Sequence, residues 1–232
     1  MKTTLITGAN RGIGLEFCRQ YAADGWRVLA CSRRPDKSDA LKKLVAQYSD
    51  LITIHALDVS DHAQIDRLAQ ELAEESIDLL INDAGIYPDS DKNDIGPTNY
   101  DEWMQAFQIN TMAPLKMVET FATQIARSEQ KVIITISSKM GSIADNSSGG
   151  NYLYRTSKAA VNMVVKSLAI DLKPTGITAV ALNPGWVKTD MGGPNAMISV
   201  EESVSGMRQV ISSLTIADSG KFFDYDGNEI PW

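Results

Sequence analysis

Seven short apolar runs, rich in β-branched residues, punctuate the chain: Thr4–Thr7, Arg27–Cys31, Ile52–Leu57, Leu79–Ile81, Val132–Ile136, Thr178–Leu182 and Phe222–Phe223. Runs of this length with little polar alternation predict strands buried on both faces. Helical patterns fill most of the gaps between them. Ser60 is placed to cap the segment after Asp58-Val59, and Ser199 with Glu202 reads as a capping box before another helix. Strands alternating with helices predict an α/β domain with a doubly wound, seven-stranded parallel sheet and helices on both faces. Neither an internal repeat nor a linker interrupts residues 1–232, so a single domain is expected. The most loop-like stretches are Tyr87–Thr98, Asp145–Asn151 and Gly192–Ile198. In doubly wound sheets ligands bind where such loops leave the carboxyl ends of the strands.

Composition narrows the function. With 232 residues, 44% of them hydrophobic, the chain can bury a full core. No apolar run approaches the ~20 residues of a bilayer span, and an apolar strand follows Met1-Lys2-Thr3 at once, so neither a membrane nor a signal peptide is expected. A formal charge of −7 argues against nucleic acid as a partner. Cys18 and Cys31 read as buried free thiols in a reducing cytoplasm. His55 and His62 have no companions at metal-ligand spacing, and no metal site is expected.

Candidate chemistry begins with Thr7-Gly8-Ala9-Asn10-Arg11-Gly12-Ile13-Gly14, between the first strand and a helix expected from about Ile13. Gly8, Gly12 and Gly14 permit a tight turn and close backbone approach, and the helix N-terminus offers free N–H groups to a pyrophosphate. The spacing, Gly-x-x-x-Gly-x-Gly, is not that of the commonest Rossmann fingerprint, but its position after the first strand suits a Rossmann fold. The second strand ends in Ser32-Arg33-Arg34, with no acidic residue to hold a ribose 2′-hydroxyl. Arg33, joined by Arg11, suits a 2′-phosphate instead, which favours NADP(H). Arg34 reads as a solvated surface charge.

Tyr154 and Lys158 stand four residues apart in a helical pattern, which puts them on one face. An ammonium beside a phenol favours the phenolate and lowers a pKa that is ordinarily near ~10. That is the chemistry of proton delivery to a carbonyl oxygen. Ile86, Tyr87, Tyr152, Trp186, Met191 and Met197 are candidates for an apolar substrate wall, or for ordinary packing.

In this order the motifs resemble the short-chain dehydrogenases/reductases, and within them the carbonyl reductases of the sniffer and C-factor type. Besides the glycine loop and Tyr-x-x-x-Lys, the resemblance rests on Asp58-Val59, Asn82-Asp-Ala-Gly85, Asn110, Ile136-Ser137-Ser138, Asn183-Pro184-Gly185-Trp-Val-Lys-Thr189 and the ending Gly220–Trp232. It implies NADPH-dependent reduction of a ketone or aldehyde, with Asn110, Ser138, Tyr154 and Lys158 as the catalytic set. Tyr154 is then the proton donor, Ser138 holds the carbonyl oxygen, Lys158 holds the nicotinamide ribose, and Asn110 holds a water linking Lys158 to solvent. The implied cofactor residues are Gly8, Asn10, Arg11, Gly12, Ile13, Gly14, Arg33, Asp58, Val59, Asn82, Ala84, Gly85, Tyr154, Lys158, Pro184, Gly185, Val187 and Thr189.

Three features depart from the family pattern. Asp83 replaces the usual second asparagine of Asn-Asn-Ala-Gly, Asn146–Asn151 is an insertion before the tyrosine, and Gly192–Ile198 is short for a substrate lid. Ser137 competes with Ser138, but it should face the other side of the strand. The resemblance also implies a homodimer, with Met117, Val118, Phe121, Met163 and Val164 as interface candidates or sheet-packing residues. A regulatory NADP(H)-binding protein of C-factor type is the alternative to an enzyme.

Overall fold

A computed structural model describes residues 1–88 and 95–232. All seven expected strands form, as β1 (Thr3–Ile6), β2 (Arg27–Ser32), β3 (Ile52–Ala56), β4 (Leu79–Asn82), β5 (Val132–Ile136), β6 (Thr178–Asn183) and β7 (Phe222–Asp224). They make one parallel sheet in the order β3-β2-β1-β4-β5-β6-β7. The chain order reverses between β1 and β4, which opens a crevice at their carboxyl ends.

Helices α1 (Gly12–Ala23), α2 (Asp39–Gln47), α3 (His62–Glu71), α4 (Tyr100–Phe107), α5 (Ala113–Ala126), α6 (Tyr152–Asp171) and α7 (Val200–Ser213) flank the sheet. Strand alternation sorts the core into two layers. Leu5, Leu29, Leu80, Ile133 and Ala179 share a face with Ile65 of α3, with Met117 and Phe121 of α5, and with Leu168 of α6. Ile6, Val28, Ala30, Ile81, Ile134 and Val180 pack on Phe17 of α1, Leu41 of α2 and Met207 of α7. The register runs Leu29–Leu5–Leu80–Ile133–Ala179 across five strands, so one apolar row crosses the sheet.

The helix starts differ in a way that bears on function. Asp61 caps α3, Asn99 caps α4 and Ser199 caps α7, each with its side-chain oxygen on a free backbone N–H. Ser60 is therefore not the cap of α3: its hydroxyl donates to Asp58 Oδ1. Ser199 accepts from Glu202 N, which is half of the expected capping box. Helix α1 begins after an extended Arg11 with no side-chain cap and no acidic residue in its first turn. Its amino end is left for another anion.

Candidate active site

A cleft of about 680 Å³ runs along the carboxyl ends of the strands. One end is cationic. Arg33, Arg34 and Lys37 line it, all solvent-exposed, beside buried Ser32 and Ser38. A short 3-10 turn at Pro35–Lys37 folds the chain back on itself and returns Lys37 to the wall. Leu57, Asp58 and Val59, which follow β3, form the next stretch.

The glycine turn makes the middle of the cleft. Gly8 (φ +72°) and Gly12 (φ +54°) take left-handed backbone that side chains resist. A Cβ on Gly14 would lie 2.5 Å from Gly8 O, so α1 can approach the turn this closely only with glycine there. Across the cleft stand Pro184, Thr189 and Asp190. Arg11 Nη1 bonds Asp190 Oδ2 at 2.9 Å, with both side chains largely exposed. The expected phosphate-binding arginine thus rests on a carboxylate of the opposite lip.

The other end is buried and holds the residues expected to carry the proton chemistry. Tyr154 and Lys158 lie one turn apart on α6, both within the core. The hydroxyls of Ser138 and Tyr154 are hydrogen-bonded. Ser137, the competing serine, lines the cleft and donates to Asn162 Oδ1 at 2.5 Å on α6, the helix that also carries Tyr154, rather than facing the other side of the strand as expected. Lys158 Nζ donates to Ile136 O at 2.8 Å and lies 5.6 Å from the Tyr154 ring centre. Tyr87 leans on Tyr154 with ring centres 4.6 Å apart and donates from its hydroxyl to Asn151 Oδ1.

Asn110 sits in a π-helical turn, Gln108–Met112, wedged between α4 and α5. Such turns concentrate at functional sites. Its Oδ1 accepts from Ile86 N at 2.9 Å, while Nδ2 donates to Ile86 O and to Ser157 Oγ, each at 3.0 Å. Both amide hydrogens are committed, leaving a lone pair on Oδ1. A Cβ on Gly85 would fall 3.3 Å from that oxygen and 3.7 Å from Lys158 Nζ, so Gly85 keeps open a space facing both.

Burial dominates the titration of this end. It pushes the Tyr154 phenol up to about 12, against the Ser138 hydrogen bond, with Tyr87 and Asp83 adding to the rise. It pulls Lys158 down to about 8, against the Asp83 carboxylate. It lifts Asp83 to about 7, opposed by Lys158 and by the Gly14 N–H that the carboxylate accepts. The expected lowering of the phenol by Lys158 is absent here; Ser138 supplies what offset there is.

Residues fit a dinucleotide on these grounds: an uncapped helix start under a glycine turn, a gap at Gly85 that a side chain would fill, and cations where a second phosphate would lie. The short chain dehydrogenase profile matches residues 2–197. The chain belongs to the short-chain dehydrogenase family. C-signal of Myxococcus xanthus is 42% identical over 156 residues, 67% of this chain and 93% of that one. The carbonyl reductase Sniffer of D. melanogaster superposes with a TM-score of 0.92 at 33% identity over the full length of both chains. The NADPH-bound carbonyl reductase from chicken fatty liver gives 0.91 at 36% identity, over 100% of this chain and 99% of that one.

In this short-chain dehydrogenase most of the expected cofactor residues do line the cleft: Gly8, Asn10, Arg11, Gly12, Ile13, Arg33, Asp58, Val59, Ala84, Gly85, Tyr154, Lys158, Pro184 and Thr189. Gly14, Asn82, Gly185 and Val187 stand behind that wall. Gly14 serves helix packing, and a Cβ on Gly185 would lie 2.7 Å from Ile198 and 3.0 Å from the Tyr225 ring. Asn82 is buried with neither side-chain polar atom hydrogen-bonded. Arg34 is solvent-exposed, as expected, and also lines the cleft; Lys37, Ser38, Lys188 and Asp190 line it without having been anticipated. The cation spacing around Pro35 was the available signal for Lys37. Of the substrate-wall candidates, Ile86 and Met191 line the cleft, while Tyr152, Trp186 and Met197 are exposed. The interface candidates Met117, Val118 and Phe121 are core residues of α5, at most 1% exposed, and are unavailable to a partner. Met163 is exposed and Val164 is half-buried. Among the described residues no helix is long and apolar enough to cross a membrane, and no His/Cys/Asp/Glu group could hold a metal. Cys18 and Cys31 are buried and free, and burial pushes Cys31 up to about 12.

Proposed function

We propose that this protein reduces a ketone or aldehyde to an alcohol with NADPH. The observation that carries the proposal is the pairing of Tyr154 and Lys158, one turn apart on α6, at the buried end of a cleft whose other end is lined by Arg33, Arg34 and Lys37. Bound NADPH supplies the hydride; the chain's own groups bind, orient and protonate. Residues 1–232 act as one NADP(H)-binding domain. The turn Gly8–Gly14 and the start of α1 take the pyrophosphate, and Arg33, with Arg34 and Lys37 nearby, takes the 2′-phosphate.

A phenol near 12 stays protonated at neutral pH and is set to donate rather than accept. Tyr154 gives its proton to the carbonyl oxygen, and Ser138 hydrogen-bonds that oxygen as negative charge develops. Lys158, still largely an ammonium at pH 7, holds the ribose, and the Ser138 hydrogen bond favours the phenolate left after donation. Asn110 Oδ1 and Lys158 Nζ face the same gap at Gly85, which suits a water that returns the proton from solvent. The chain works as a homodimer in the cytoplasm. Tyr154→Phe tests the proposal: NADPH should bind nearly as well by fluorescence titration, while turnover of every carbonyl in an aromatic and aliphatic panel is lost. Retained turnover would remove Tyr154 from the mechanism.

The similarity to C-signal favours a second reading, a regulatory protein that binds NADP(H). Activity of the Tyr154→Phe variant in the cell, despite its loss of turnover, would favour that role over catalysis.

A further inference from the structure

The segment that carries Ser138 is short and irregular, yet it must aim one hydroxyl at Tyr154. Its near side is held by the sheet and α6. Ser137 N donates to Leu182 O at 2.7 Å, and Asn162 takes the Ser137 hydroxyl while donating to Gly141 O. Its far side is held by the C-terminal tail: Ser142 Oγ donates to Pro231 O, and Ile143 N donates to Trp232 O at 2.7 Å. Between these lies Lys139, whose backbone N–H donates to Asn183 Oδ1 at 2.9 Å.

An amide side chain can make that bond in one orientation only. Flipped, Asn183 would present its NH₂ to the Lys139 N–H, donor against donor. What selects the orientation is on the last strand: Asp224 Oδ1 accepts from Asn183 Nδ2 at 2.8 Å. The same oxygen accepts from Tyr225 N at 2.8 Å, and Asp224 N donates to Asn228 O, so the carboxylate is itself fixed by the turn after β7. A carboxylate has no hydrogen to offer, so it cannot satisfy a flipped Asn183.

We infer that Asp224 is a positioning residue for the proton-donating site. By fixing the Asn183 amide it holds the Lys139 N–H, and with it the adjacent Ser138, in register with Tyr154. The inference rests on the reductase reading for its catalytic consequence, but not for its structural one. Nothing on β7 lines the cleft, so Asp224 acts through Asn183 alone.

The test compares Asp224→Ala with Asp224→Asn in the full chain. Hydrogen exchange, read by NMR or by mass spectrometry of peptides over 137–142, reports the bond directly and needs no cofactor. In Asp224→Ala the Lys139 amide should exchange roughly tenfold faster, the loss of one ordinary hydrogen bond, while Val132–Ile136 amides keep their protection. The kcat for carbonyl reduction should fall by roughly tenfold with KM and NADPH affinity held within about twofold. In Asp224→Asn the Tyr225 N–H keeps the amide oxygen, not the NH₂, facing Asn183, so this variant should restore both exchange and kcat. Unchanged Lys139 exchange would overturn the inference, and so would loss of protection across the whole sheet with weakened NADPH binding. Failure of the reductase reading is seen separately, as turnover that survives Tyr154→Phe.

Discussion

Asp83 stands where the family usually has asparagine, and the structure shows what the exchange costs. Its carboxyl lies under the glycine turn, accepting from Gly14 N, with Oδ2 close to Gly8 and Gly14. The charged or titrating groups that face it are Lys158, Tyr154 and Cys18. Burial lifts it from 3.8 to about 7. Between those values the native protein keeps a proton that the unfolded chain has released, so stability falls as pH rises through this window. At 1.36 kcal/mol per unit the ceiling on the loss is about 4 kcal/mol above pH 7. Asp83→Asn removes the ionisation and keeps an acceptor for Gly14. It also deprives Lys158 of a carboxylate, which gives back part of the gain. The expected net effect is no change at pH 4, rising to about 2 kcal/mol of added stability at pH 8, or roughly 4–8 °C in Tm for a domain of this size. Thermal melts of both proteins from pH 4 to 8.5, followed by circular dichroism, measure it. Curves that run parallel, or a variant less stable at every pH, would refute the reasoning.

Three further outcomes follow from the site. Arg33→Asp should weaken NADPH binding at least tenfold, the loss of a charge-assisted phosphate contact, and shift preference toward NADH; an unchanged ratio of the two Kd values would clear Arg33 of the role. Gly14→Ala sets a methyl 2.5 Å from Gly8 O and 2.7 Å from Asp83 Oδ2, so it should cost about 1–3 kcal/mol by overpacking and weaken cofactor binding, both visible in denaturant melts with and without NADPH. Asn110→Ala strands the Ile86 N–H and C=O and should destabilise by about 2 kcal/mol or more; an unshifted Tm would mean that water or neighbouring groups replace the clamp.

The sheet was legible because parallel strands buried on both faces are written as unbroken apolar runs: Val132–Ile136 has the same bounds in sequence and in space. Caps were harder, since Ser60 and Asp61 are adjacent and either side chain suits the role; Asp58 decides it by engaging Ser60. Within the site, Tyr154 and Lys158 were readable because both lie on one helix at fixed spacing. The Asp224–Asn183–Lys139 chain was not, because it joins three segments that meet only through sheet order. Helical spacing likewise could not assign Met117 and Phe121 to core or partner, since an apolar stripe looks the same whether a sheet or a second subunit covers it. The Tyr154 environment was misjudged for a related reason. Sequence gives the neighbour, Lys158, but not the burial that outweighs it.

The two ends of the cleft are built by opposite means, and this sets what each can tolerate. At the cationic end, long exposed side chains on a short turn meet a ligand that brings its own charge. Exposed groups of this kind add little to folding, so substitutions there alter which dinucleotide is held with small effect on stability. At the closed end, Tyr154, Lys158 and Asp83 lie inside the core, where the Asp83 charge shifts the titration of the other two, and Asn110 bonds Ser157 of the same helix as Tyr154 and Lys158. A buried polar group that loses its partner is costly whatever its role in turnover. If Arg33, Arg34 and Lys37 take the 2′-phosphate as proposed, cofactor choice can drift through them while the closed end stays as it is, and a change at the closed end must be scored on stability and activity together before a catalytic role is assigned to it.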